Sequence, residues 1–150
     1  MNLRRRWFTL VQVAYDLTLK MNPRKLAAHA VIQDPEGRVL LLRSRYADRW
    51  ALPGGGVDRR ENLDATVMRE CREELGVTVS VGPMTGMYYH VDISVYVAIF
   101  RCTIPSGTIR LSHEHSELRW SPLAELPLRI RQVVDDALAA DGATVLRTFG

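Results

Sequence analysis

A single α/β domain is the fold class the sequence predicts, on three observations. Several short stretches alternate apolar and polar residues or run apolar and β-branched, as strands do. Two others, ending near Gly76 and Ala140, repeat apolar residues at helical spacing. A run of three glycines, Gly54-Gly55-Gly56, sits between the two kinds of pattern near the middle of the chain. At 150 residues the chain suits one domain with one core, and no internal repeat, low-complexity tract or linker divides it. The expected layout is a helical extension over residues 1–22 followed by one domain over 23–150.

Composition excludes some function classes. A hydrophobic fraction of 47% with 25% charged residues is that of a globular chain, neither disordered nor fibrous. All but two of the 20 basic residues, Lys20 and Lys25, are arginine, yet the net charge is only +3. That is too small an excess for a nucleic-acid coat, and it suits an anionic small molecule, whose phosphate oxygens match the guanidinium fork. No nucleic-acid partner is therefore expected. Cys71 and Cys102 stand far apart in apolar patterns, so two buried reduced thiols and a cytoplasmic location are expected.

In chain order, Leu3, Trp7, Leu10, Val11, Ala14, Leu17 and Met21 fall on one helical stripe that Asn22-Pro23 ends. Packing on the domain is the first expectation for this helix, a homodimer interface the second and a basic membrane-surface helix a remote third. Asp16 breaks its apolar run well short of the ~18 residues a membrane span needs. Neither a span nor a secretory signal is expected. Residues 26–44 read as a hairpin about Asp34-Pro35-Glu36-Gly37, with a buried second strand. Arg43, Arg45 and Arg49 then lead to Trp50 and the glycines, as candidates for holding phosphate or as a solvated connection. Beyond Gly76, strands are expected at 77–81, 84–90, 92–102 and 118–120, with a short one at 109–111. Gly82-Pro83 is expected to break the first pair. Ser121-Pro122 starts a helical turn, 128–140 is an amphipathic helix, and the residues from Asp141 on carry no assignable pattern.

The informative stretch is WALPGGGVDRRENLDATVMRECREELGV, residues 50–77. Asn62 can cap the helix that follows, and Gly76 stands where a left-handed C-terminal residue belongs. Ala65, Met68, Cys71 and Leu75 are expected on the core side. Glu70, Glu73 and Glu74, at i, i+3 and i+4, share another side. Like charges at that spacing repel, and the C-terminal half of a helix disfavours anions. Arg69 can pair with Glu73 one turn on; the remaining carboxylates make the hard-oxygen cluster that Mg²⁺ prefers. Glycines without a Cβ let the backbone approach a metal or a phosphate, and Glu61 can turn back toward the cluster. The competing expectation is an exposed acidic helix after a flexible turn.

Taken together, these residues resemble the Nudix hydrolases, whose box is G-x5-E-x7-R-E-U-x-E-E-x-G-U with U aliphatic. Here it falls on Gly55, Glu61, Arg69, Glu70, Cys71, Glu73, Glu74, Gly76 and Val77, with Cys71 at the one departure. The preceding hairpin, the Trp-x-Leu-Pro-Gly-Gly-Gly run and the later SHEHSELRWSPLAELP segment extend the resemblance to about residues 26–140.

The resemblance implies a Nudix-type α/β/α sandwich with a mixed sheet, to which the N-terminal helix is extra. It implies hydrolysis, with Mg²⁺ or Mn²⁺, of a phosphoanhydride bond in a nucleoside diphosphate-linked small molecule. Glu70, Glu73, Glu74 and the Gly54 carbonyl would hold metal. Arg69 would orient Glu73, and Glu61 would shape the site as a positioning group or a base. Glu70 is the first candidate for general base and Glu114 the second, with Glu117 competing; His113 and His115 are expected at the surface. A proline about 16 residues past the box marks ADP-ribose enzymes and a tyrosine near 17 marks dinucleoside polyphosphate enzymes, but here those positions are Ile93 and Ser94. Tyr88, Tyr89 and Trp50 are candidates to stack on a base. A nucleoside triphosphate or nucleotide sugar is the expected substrate; RNA 5′-pyrophosphate removal and a nucleotide sensor without turnover are the alternatives.

Overall fold

The computed structural model describes residues 25–150, so the expected N-terminal helix lies outside the described residues. Eight strands run in chain order: β1 (Lys25–Ile32), β2 (Val39–Ser44), β3 (Trp50–Ala51), β4 (Gly54–Gly56), β5 (Ser80–His90), β6 (Val95–Thr103), β7 (His115–Ser121) and β8 (Val145–Phe149). Helix α1 (Leu63–Leu75) lies between β4 and β5, and helix α2 (Leu128–Ala139) between β7 and β8. The strands form a five-stranded mixed sheet, β4-β1-β6-β5-β8, and a three-stranded sheet, β3-β2-β7. Within the larger sheet, β1–β6 and β5–β8 are parallel.

Residues 26–44 do not form the simple hairpin expected of them. The turn at Asp34–Gly37 is present, closed by Gly37 N–H to the Asp34 carbonyl at 2.9 Å. Beyond a single bridge between Gln33 and Val39, however, the two strands part into different sheets. Gly82-Pro83 likewise fails to break β5; the strand runs through with a register shift between Val81 and Met84. Residues 109–111 form no strand. Arg110 and Ser112 instead satisfy carbonyls that α1 leaves unpaired at its end: Arg110 N–H donates to Leu75 O at 2.8 Å and Ser112 N–H to Glu74 O at 2.9 Å. The C-terminal residues that carried no assignable pattern supply β8, whose Phe149 ring stacks on Tyr88 with centroids 5.3 Å apart.

Alternation along β1 sorts its side chains between two cores. Ala28, Ala30 and Ile32 join Leu40, Leu42, Val67, Cys71 and Leu75 beneath α1, while Val31 joins Val39, Leu41, Val133, Val134 and Ala137 beneath α2. Strand β2 is therefore buried on both faces. Small Ala28 and Ala30 let α1 approach closely enough for Gly54–Gly56 to meet its acids. The core side of α1 differs from expectation: Thr66 and Val67 are buried with Cys71 and Leu75, whereas Ala65 and Met68 are only partly covered. Both expected caps are present. Asn62 Oδ1 accepts from Ala65 N–H, and Gly76, at φ 67°, closes the helix by donating to Arg72 O.

Leu75 is fully buried in the last turn of α1, next to Glu74. Leu75→Ala should lower unfolding free energy by about 2–5 kcal/mol in urea titrations, the range for emptying such a site.

Candidate active site

The first feature of the site is a guanidinium with four partners. Arg69 Nε and Nη2 donate to the two oxygens of Glu61 at 2.9 and 3.0 Å, Nη2 also to Gly56 O at 2.9 Å, and Nη1 to Glu70 at 2.8 Å and Glu73 at 3.2 Å. The expected Arg69–Glu73 pair is present but is the longest of these contacts. Arg69 joins the loop before α1 to the acids on it, and its pKa rises well above the ordinary value, chiefly because it donates hydrogen bonds to Glu61. Glu61 also accepts from Thr66 Oγ1 at 2.7 Å and from Asp58 N–H at 3.2 Å. Its pKa falls to about 2, with the Arg69 hydrogen bonds the largest cause. Its acceptor oxygens are therefore occupied, which suits a carboxylate that holds the loop in place.

The second feature is the meeting of glycine loop and helix. At Gly54, φ is 142°, and a Cβ there would strike the Ala28 carbonyl and the ring of His29. At Gly55, a Cβ would occupy the place of the Glu70 carboxylate. Gly54 N–H donates to Glu74 Oε2 at 2.9 Å. Glu74 is buried, and its other oxygen lies 3.4 Å from His115 Nε2. Burial is the largest cause raising its pKa, to about 8, and the charges of Glu70, Glu114 and Glu73 add to it. Burial likewise raises Glu70, with the neighbouring Arg69 opposing. Glu73 is exposed.

As these side chains stand, among the described residues no three His, Cys, Asp or Glu converge closely enough to grip an ion. The donor chemistry nevertheless fits a hard divalent cation. All the candidates are oxygens, and Glu74 is a buried carboxylate whose partners among the described residues include no arginine or lysine.

His115 was missed as a site residue. The strand start at β7 and the Ser112 hydroxyl, 3.2 Å from its Nδ1, turn its ring inward to Glu74. Burial lowers its pKa. No local pattern distinguishes it from His113; only the crossing of residues 110–112 over the end of α1 brings it in. Glu114 is exposed, close enough for its charge to act on Glu74. Of the three arginines, Arg43 is bound to Asp48 and to Glu117, the latter at 2.7 Å. Arg45 lies beside it on the surface, and Arg49 borders a cavity of about 440 Å³ with Trp50, Leu52 and His29. Tyr88 is fully buried with its hydroxyl on Asp136, and Tyr89 packs on Tyr96. Trp50 is thus the one of the three named aromatics that borders the cavity.

The site is thus an acid-bearing helix clamped to a glycine loop at the edge of a mixed sheet. The comparisons with known proteins identify the class. The family described as NUDIX domain matches residues 23–141, and the chain belongs to that family, as a Nudix pyrophosphohydrolase. It is 33% identical over 115 residues to a MutT-like protein of Streptomyces ambofaciens, with 75% of each chain covered. Its fold resembles that of the MutT protein of Methanosarcina mazei Go1, with a TM-score of 0.66, 27% identity, and 79% and 96% of the two chains covered. An ADP-ribose pyrophosphatase of Streptococcus suis shares the fold at a TM-score of 0.67 and 20% identity, covering 84% and 99%.

The Glu74 shift fixes a pH dependence. Its folded-state pKa of about 8 exceeds the ordinary 4.5, so between those values the folded protein binds the additional proton. Stability of metal-free protein should therefore fall as pH rises from about 4.5 to 8 and level off above. Thermal melts across that window should show the slope, and Glu74→Gln should flatten it.

Proposed function

We propose that the protein hydrolyses the phosphoanhydride bond of a nucleoside diphosphate-linked small molecule, a nucleoside triphosphate or nucleotide sugar, with Mg²⁺ or Mn²⁺. The observation that supports this is Glu74, a carboxylate buried at the end of the glycine loop with no side-chain cation against it among the described residues. Glu70, Glu73, Glu74 and the Gly54 carbonyl would hold the ion. When bound, the ion would offset phosphate charge and acidify the attacking water.

The remaining roles belong to the chain itself. Arg69 holds Glu70 and Glu73 at fixed angles to the loop, and Glu61 fixes Arg69 in turn. Glu70 takes the proton of the attacking water; its raised pKa makes it a better acceptor than an ordinary glutamate. Glu114, at the loop ahead of β7, is the second candidate for that step. The non-phosphate part of the substrate lies in the cavity bordered by Trp50, with Arg49 near its phosphates. Arg43, already neutralised by two carboxylates, and Arg45 are less suited to that task.

Free nucleotides are the partners, with no nucleic acid, and the location is cytoplasmic. Two buried free thiols, Cys71 and Cys102, support an intracellular setting. Among the described residues no helix is long and apolar enough to cross a membrane.

Phosphate and pyrophosphate release from a panel of nucleoside triphosphates and nucleotide sugars, with and without Mg²⁺, tests the proposal. Turnover should require the ion, and Glu73→Gln and Glu74→Gln should each lower kcat/KM by about 100-fold or more. Full turnover in both variants would refute the ligand assignment. Turnover only of triphosphorylated RNA would refute the substrate class.

A further inference from the structure

The cavity bordered by Trp50 is walled by Val97, Ile99, Ile130, Val133 and Phe149, with Arg49, His90, Asp92 and Arg129 supplying its other polar groups. At about 440 Å³ it matches a small-molecule site that takes a ring system with its sugar. One polar group of its lining is fixed. His29, on β1 opposite Gly54, lies under the glycine loop. Its Nδ1 stands 3.0 Å from the Leu52 carbonyl, an acceptor only, so Nδ1 carries the proton and donates. In the neutral ring that prevails near pH 7, Nε2 is then a bare acceptor.

Among the described residues no donor reaches that nitrogen. His29 itself lines the cavity. Residues 52–54 are thus gripped from both directions: His29 binds the Leu52 carbonyl, and Glu74 binds the Gly54 N–H. The tautomer of His29 is set by the same loop that presents the catalytic backbone.

We infer that His29 is a specificity-determining residue whose Nε2 accepts a hydrogen bond from an exocyclic amino group on the substrate's base. The inference rests on the proposed nucleotide substrate. It selects amino-bearing bases, adenine, cytosine or guanine, over the same rings without the amino group. An apolar wall surrounding one oriented acceptor discriminates because a ligand lacking the donor leaves the acceptor unpaired.

Two substitutions separate recognition from structure. Asn places its amide nitrogen near the Nδ1 position, so His29→Asn keeps the Leu52 contact and removes the Nε2 acceptor. Gln reaches farther and offers a carbonyl oxygen near the Nε2 position. The measurement is kcat/KM, with kcat and KM resolved, for three pairs: ATP against purine riboside triphosphate, CTP against the triphosphate of pyrimidin-2-one riboside, and GTP against ITP. The wild-type enzyme should prefer the amino-bearing member of at least one pair by about tenfold, mostly in KM. His29→Asn should reduce that preference to near unity, and His29→Gln should restore part of it. No preference in the wild type, or an undiminished one in His29→Asn, would overturn the role of His29 while leaving nucleotide hydrolysis intact. Absence of turnover on every nucleotide would overturn the proposed function and this inference with it.

Discussion

The site depends on one contact, the Gly54 N–H donating to the buried carboxylate of Glu74. A carboxylate removed from water is costly unless its charge is met by hydrogen bonds and a cation. Among the described residues one backbone donor and one imidazole reach it, and no arginine or lysine does. The helix dipole opposes a negative charge in the last turn of α1, and Glu70 and Glu73 add to the repulsion. These costs favour the protonated form of Glu74 in the metal-free fold, and on the proposed metal role a bound cation would offset them.

The surrounding architecture keeps that contact in place. Small Ala28 and Ala30 let α1 sit close over β1, and Gly54 and Gly55 leave room for His29 and Glu70 where side chains would collide. Arg69 ties Glu61, Gly56, Glu70 and Glu73 into one rigid unit, so loop and helix move together. From the other end, Arg110 and Ser112 bind the terminal carbonyls of α1 and bring His115 to Glu74. Each of these uses a group that the helix or loop would otherwise leave unsatisfied.

Much of this is legible in the residues. The register of Gly55, Glu61, Arg69, Glu70, Glu73 and Glu74 is a local property, and so are the caps Asn62 and Gly76; all are written within one turn-and-helix unit. What was not legible depends on pairing between distant segments. Residues 26–44 carry a turn and two apolar runs, yet nothing local says that the two strands enter different sheets. β8 has little pattern of its own and is a strand because β5 offers it an edge. His115 and His29 look alike in sequence to His113 and His90; what separates them is which carbonyl, hydroxyl or carboxylate the fold brings within reach. The resemblance to the Nudix box implied the acids, while the hydrogen bonds that orient them came only with the fold.

On the proposed metal role, Glu74 is held protonated in the metal-free protein near neutral pH and would give up its proton to a cation. Calorimetric titration with Mn²⁺ at pH 7, in buffers of different ionisation enthalpy, measures that proton directly. The wild-type protein should release about one proton per ion bound at the site, and Glu74→Gln should release close to none while binding more weakly. Binding of Mn²⁺ by the wild-type protein with no proton released would contradict the account.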